Sequence, residues 1–279
     1  MKKVGVFFHP IMASFNWPII GNKYERFPQI MGDLLHNENV SLFESPFAPE
    51  EILLACHSPS YLEGVKKSWY WEGASRSVGG CLLAAEKIME GEIKRALVFT
   101  VAAGHHASRD FGWGGTYLSC SGPTVYLLRQ KGLAHKIAIL DTDCHHGDGT
   151  RSFFVNDPQV LHVCFCHMDY TSPDNTKVDR AVPYGIGDER YLQMVREEFG
   201  ERVKRFRPDL IFHNFGHDTC QGDYGDKGLS VEFFKKLAQL VKDLSDEVCE
   251  GRYMVISHGG YLREVAERVF RDVLEVLLK

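Results

Sequence analysis

Short apolar runs recur along the chain, each cut off by glycine, proline or a charged cluster. Those at 4–8, 40–43, 96–101, 136–140, 160–166, 210–215 and 253–257 predict buried strands. Between them apolar residues return at helical spacing. That spacing predicts helices over 30–36, from Pro49, from Ser58, over 78–89, over 117–130 (begun or interrupted at Pro123), 149–155, 189–206 and 262–278. Ser230 caps a further helix that runs to about Cys249. The remaining stretches read as loops. They include 11–27, crowded with Phe15, Trp17, Ile19, Ile20, Tyr24 and Phe27, the Trp/Gly/Ser segment 68–77, the glycine-rich 111–115 and the polar 167–188. The repeated strand–helix alternation predicts an α/β fold of three layers, a mostly parallel sheet flanked by helices. No repeat, linker or low-complexity tract interrupts it, so residues 1–279 are expected to form one domain.

Four predicted strands run straight into polar or glycine clusters. These are Gly104-His105-His106-Ala107, the stretch from Asp141 through Asp143, Cys144, His145 and His146 to Asp148, Gly216-His217-Asp218, and His258-Gly259-Gly260-Tyr261. In a parallel sheet these ends share one edge, where α/β proteins bind ligands. Ionisable groups so placed are costly unless they serve something. Asp143 and His145, two apart, suit a divalent metal, and Asp218 supplies a third ligand. Two carboxylates and one imidazole leave coordination positions open, as a catalytic ion requires. An Asp-His-Asp set admits both Zn2+ and Fe2+. His105 and His106 suit general base and acid, with Asp141 and Asp148 available to orient them. Tyr261, behind two glycines, is placed to aim its hydroxyl at a polarised carbonyl.

Composition narrows the class. A net charge of -5 argues against a nucleic-acid partner, and no stretch is apolar and long enough to cross a membrane. The chain opens on Met1-Lys2-Lys3 and runs directly into a strand with no signal-peptide pattern, so a cytoplasmic location is expected. The eight cysteines form no CxxC pair and read as reduced core residues. Cys164 and Cys166 fit the alternation of a strand better than a metal pair, and Cys144 is expected to point away from its metal-ligating neighbours. His146 is expected to make a supporting hydrogen bond. His217 and His258 adjoin site residues and are candidates to touch substrate, whereas His9, His36, His57, His135, His162 and His213 read as structural or surface groups.

The four motifs, in this order and spacing, resemble the zinc-dependent histone deacetylase superfamily, which includes acetylpolyamine amidohydrolases and acetoin-utilisation-type proteins. The resemblance spans the chain. It implies the arginase–deacetylase fold and hydrolysis of a linear acyl amide, an acylated lysine or polyamine, by a metal-activated water. It implies Asp143, His145 and Asp218 as Zn2+ ligands, His105 and His106 as the catalytic histidines with Asp141 and Asp148 as their carboxylates, and Tyr261 as the carbonyl-binding tyrosine. It also implies K+ beside the zinc at Asp141, Asp143 and His145. There Cys164 stands where the family usually has serine, which weakens that expectation. Oligomeric state is left open, a homo-oligomer included.

The chain departs from the family at the channel. Gly115 stands where one aromatic wall residue is usual, the 170–174 region offers no phenylalanine for the other, and Asp223-Tyr224-Gly225 replaces the usual Asp-Pro-Leu. The slot is therefore expected to be either wider or refilled by Trp113, Tyr224 and the aromatic loop. Asp169, Asp174, Asp223 and Asp226 read as solvated loop charge in preference to an acidic mouth that selects a cationic substrate. Two other functions remain in competition: a dinuclear manganese ureohydrolase of the arginase type, which needs further bridging aspartates, and a non-catalytic acyl-ligand-binding relative.

Overall fold

The computed structural model describes residues 4–279. The strands are β1 (Val4–Phe8), β2 (Val40–Glu44), β3 (Arg95–Val98), β4 (Ala103–Gly104), β5 (Leu118–Ser119), β6 (Ile137–Asp141), β7 (Val160–Cys166), β8 (Tyr170–Thr171), β9 (Lys177–Ala181), β10 (Leu210–Phe215) and β11 (Tyr253–Ser257). Nine of them form one sheet in the order β2-β1-β3-β11-β10-β6-β7-β9-β8, and every pair is parallel except β8 with β9. β4 and β5 make a separate two-stranded sheet. β1, β3, β6, β7, β10 and β11 are buried on both faces, which explains their continuous apolar runs. The helices Trp71–Met89 and Ser121–Gln130 pack on each other, as do Val231–Cys249 and Arg263–Leu277, and these two pairs flank the sheet.

The order places β3, β11, β10 and β6 side by side. These are the four strands whose ends carry the polar clusters. Register aligns Asn214 with Asp141 and Phe215 with Ser257, so β6, β10 and β11 end level with one another.

Two expectations fail through tertiary packing, and a third holds only in part. Residues 71–77, expected in a loop, open the helix Trp71–Met89. Their small side chains lower helix propensity but let the helix approach its neighbours. A Cβ on Gly73 would strike the Trp17 ring and Val101, and Ser77 Oγ donates to Gly73 O and accepts from Val101 N. The polar stretch 167–188 contains β8 and β9. β9 escapes notice because its buried Lys177 and Asp179 are polar. Both are satisfied, Lys177 by the Asp157 and Val160 carbonyls and Asp179 by Arg151. The helix expected over 117–130 begins only at Ser121, after β5.

His57 ties β5 to the rest of the fold, since its Nε2 accepts from Ser119 N at 3.1 Å. Burial pushes this imidazole from the ordinary value near 6.5 down to about 4. The unfolded chain therefore binds this proton at a higher pH than the folded one. The stabilisation from holding His57 neutral is complete above pH 6.5 and is lost as pH falls towards 4, on the order of 3 kcal/mol in all. Denaturant unfolding between pH 7 and 4 is expected to show a shallower loss for His57→Gln, whose amide oxygen can still accept from Ser119. Identical slopes for the two proteins would count against it.

Candidate active site

The donors proposed for a metal converge. The backbone turns sharply after Asp141: Asp143 Oδ1 accepts from His145 N at 3.0 Å, and this Asx-type turn brings His145 back over Asp143. His145 Nδ1 then lies 3.2 Å from Asp143 Oδ1 and 3.9 Å from Asp218 Oδ2. Asp218 is fixed by the Cys144 amide, and Asp143 Oδ2 accepts from Gly259 N at 2.8 Å. A Cβ on Gly259 would lie 2.5 Å from Asp143 Oδ2, 2.6 Å from Tyr224 Oη and 2.7 Å from Asp218 Oδ2. Only glycine leaves that space clear. Burial and the Asp143 charge drive Asp218 well above the carboxylate range. Burial also opposes the charge on Asp143, but His105 and His145 outweigh it and hold Asp143 well below. Two buried carboxylates facing one point beside an imidazole nitrogen fit a divalent cation.

The two candidate acid–base histidines sit beside this point, each with its own carboxylate. His105 Nδ1 meets Asp141 Oδ2 at 2.9 Å, and His105 Nε2 lies 3.7 Å from Asp143 Oδ1. His106 Nδ1 meets Asp148 Oδ1 at 2.6 Å. Burial would lower His105, but the Asp141 and Asp143 carboxylates raise it to about 10. His106 is pushed below its ordinary value by burial and by His105, against the pull of Asp148. Trp113 packs against His106 with ring centres 3.9 Å apart and planes tilted by 34°, and its Nε1 donates to Asp148 Oδ2 at 2.8 Å, so it contacts both partners of the pair.

Tyr261 does not join them. Its side chain is 55% exposed, lies over Gly21 and does not line the cavity that holds the histidines and Asp143. Asp223 accepts from the Tyr261 and Leu262 amides, and Gly260 turns at φ +111°, which directs the ring outward. The phenol inside the cavity belongs to Tyr224. Its ring is half exposed, but its hydroxyl is turned inward and accepts from Gly260 N at 2.8 Å, so its own proton remains free to donate. Burial and the Asp218 and Asp143 charges hold that hydroxyl far above the usual phenol range, and it stays protonated.

Cys144 corrects a second expectation. Its sulfur lies 3.1 Å from His145 Nδ1 and its donor atom belongs to the same cluster as Asp143, His145 and Asp218, because strand alternation does not survive the turn. Of the two histidines expected as candidates to touch substrate, His258 lines the cavity, whereas His217 is wholly buried and does not. Lys23 was not singled out from the sequence. It is fully buried, donates to His258 O and, at 3.3 Å, to Gly259 O, and so braces this turn from behind.

The cavity measures about 310 Å³ and is refilled, not widened. A Cβ on Gly115 would lie 2.8 Å from Pro18 O and 3.1 Å from Ile19 Cγ1, so the loop around Ile19 occupies the place of the missing aromatic. Ile19, Ile20, Trp113 and Tyr224 form the apolar walls, while Tyr170 stands outside. Asp223, expected as solvated loop charge, is instead buried under Tyr261, whereas Asp169, Asp174 and Asp226 accept from the Ala181, Thr176 and Gly228 amides.

A model of the histone deacetylase domain matches residues 67–277. The chain belongs to the histone deacetylase family. Relatives of this histone deacetylase-family chain include a protein of Archaeoglobus fulgidus named probable deacetylase, 30% identical over 70% of the chain. Another is histone deacetylase 8 of Arabidopsis thaliana, 27% identical over 97% of it. A third is a histone deacetylase-like amidohydrolase of Pseudomonas aeruginosa, 26% identical over 80%. The chain spans 58% of the archaeal relative's length, 74% of the plant protein's and 66% of the bacterial one's. The crystal structure of the HDA15 HD domain superposes with a TM-score of 0.86 over 100% of this chain and 90% of that one. At 20% identity that likeness speaks for the fold, which is the expected sheet flanked by helices.

Proposed function

We propose that this histone deacetylase-family chain is a metal-dependent amidohydrolase that removes an acyl group, acetyl in the simplest case, from an acylated lysine or polyamine. One observation carries it: Asp143, His145 and Asp218 face a common point beside two histidine–carboxylate pairs in an apolar-walled cavity. A Zn2+ or Fe2+ ion held by these three residues would supply Lewis acidity and lower the pKa of water. The chain's own groups do the rest. His106 uses Nδ1 for Asp148, which leaves Nε2 to accept the proton of the attacking water and pass it to the departing amine. His105, held by Asp141 with Nε2 towards Asp143, adds positive charge beside the developing oxyanion. The Tyr224 hydroxyl donates to that oxyanion. Ile19, Ile20 and Trp113 exclude water and hold the acyl group or the amine's methylene stem.

The ureohydrolase alternative needs carboxylates that bridge two ions. Among the described residues the cluster holds only Asp143 and Asp218, with Cys144 and His145. The deciding experiment is a panel of acyl-lysine peptides and acylpolyamines, assayed with the metal-loaded protein, after chelation and after reloading. Hydrolysis that disappears with chelation and returns with the ion is expected. A loaded protein that binds but cleaves no panel member is a ligand-binding relative, and a second ion sharing Asp143 or Asp218 with the first makes it a ureohydrolase.

A further inference from the structure

His145 has a neighbour turned the other way. His146 faces β7 and β9, where Cys164, Cys166 and Asp179 point at it from the sheet. Cys164 and Cys166 alternate onto one face of β7, and the parallel register sets Asp179 of β9 directly beside Cys164. His146 Nδ1 lies 3.4 Å from Asp179 Oδ1 and 3.8 Å from Cys166 Sγ, and all four donor atoms fall within 4.8 Å of one another. Tetrahedral zinc with bonds of about 2.0–2.3 Å holds its ligand atoms roughly 3.3–3.8 Å apart. A single ring nitrogen that faces both a sulfur and a carboxylate carries at most one proton and can serve only one of them, whereas an ion binds the nitrogen, both sulfurs and an Asp179 oxygen together while Arg151 keeps its pair with that carboxylate. The arrangement is also not a nucleophile–histidine–carboxylate relay, which requires the two ring nitrogens to serve different partners.

The geometry points to a second metal site, made by His146, Cys164, Cys166 and Asp179 and taking a thiolate-preferring divalent ion such as Zn2+. Asp179 is oriented by a two-pronged pair with Arg151, at 3.0 Å from Nη1 and 2.7 Å from Nη2, and Arg151 Nε donates to His162 Nδ1. Such outer partners are usual around bound metals. Two thiolates, one carboxylate, a dication and the Arg151 guanidinium together carry no net charge, which removes the cost of burying them. Cys164, Cys166 and Asp179 are almost fully buried, and the side chain of His146 is 19% exposed. Four protein ligands leave no open position, so the site is structural. It shares no ligand with the Asp143–His145–Asp218 centre. By gripping His146 it holds the turn that presents His145. Sulfur at Cys164 also suits this ion better than K+, which takes oxygen ligands. The site stands whether or not the chain is a deacylase.

Cobalt substitution tests it. Thiolate ligands give Co2+ an intense near-ultraviolet charge-transfer absorption that carboxylates and imidazoles do not. Metal-free protein titrated with Co2+ is expected to show that absorption and to bind two ions per chain. Cys144→Ser, next to the other centre, is expected to keep the absorption, whereas Cys166→Ser is expected to lose it and bind one ion fewer. Should Cys166→Ser not fold, X-ray absorption of the zinc-loaded Cys144→Ser protein gives an independent reading, with sulfur neighbours expected at about 2.3 Å. The site is refuted by cobalt-loaded wild type without the absorption, by an absorption that follows Cys144 instead of Cys166, or by zinc with no sulfur neighbours.

Discussion

Tyr224→Phe is expected to reduce kcat by about 10²–10³-fold, the usual cost of removing one oxyanion donor, while Tyr261→Phe stays close to wild type. The reason lies in where the two hydroxyls stand. Tyr224 Oη borders the same space beside Gly259 as the Asp143 and Asp218 carboxylates, accepts from Gly260 N and keeps a free proton. Tyr261 is spread over Gly21 at the surface. Phenylalanine at 224 removes one oxygen and leaves the wall intact, so KM and metal content are expected to hold. Steady-state kinetics on the best substrate of the panel, with metal quantified for each variant, separates the two tyrosines. A large loss in Tyr261→Phe with none in Tyr224→Phe would return the role to Tyr261 and require its loop to swing inward on substrate binding.

The second large effect falls on the His106–Asp148 pair. His106→Ala removes the proposed proton acceptor and is expected to cost about 10²–10⁴-fold in kcat/KM. Asp148→Asn tests the role more sharply. His106 must be neutral to accept a proton, so activity falls on the acid side as it becomes protonated. Burial and His105 lower its pKa, and Asp148 raises it. Removing the Asp148 charge takes away a raising influence, so the acid limb of the kcat/KM profile is expected to move to lower pH. A purely structural partner would leave that limb in place while the rate fell, and a shift to higher pH would contradict the assignment.

Much of this protein is legible without coordinates. The strands reveal themselves through continuous Val, Ile, Leu and Phe runs because both faces of the sheet are covered, and β9 is hidden because Lys177 and Asp179 find partners inside. The helix Trp71–Met89 is misread at its start because glycine and serine, poor helix formers alone, are what close packing against Trp17 and Val101 demands.

The chain alone determined which chemical groups stand at the strand ends: two aspartates and a histidine for an ion, and two histidines with a carboxylate apiece. Their types and spacing are local properties, and strand direction carries them to one edge. The tertiary structure decided which way side chains face once the backbone turns. Tyr224 enters the cavity and Tyr261 leaves it because Gly260, Gly21 and Asp223, far apart in sequence, meet there. Cys144 stays with the ligands because the turn after Asp143 abolishes strand alternation. The Cys164–Cys166 pair, unremarkable in a strand, gains His146 and Asp179 only when β7, β9 and the loop after β6 assemble. Direction at a turn depends on contacts with distant segments, and no local pattern encodes it.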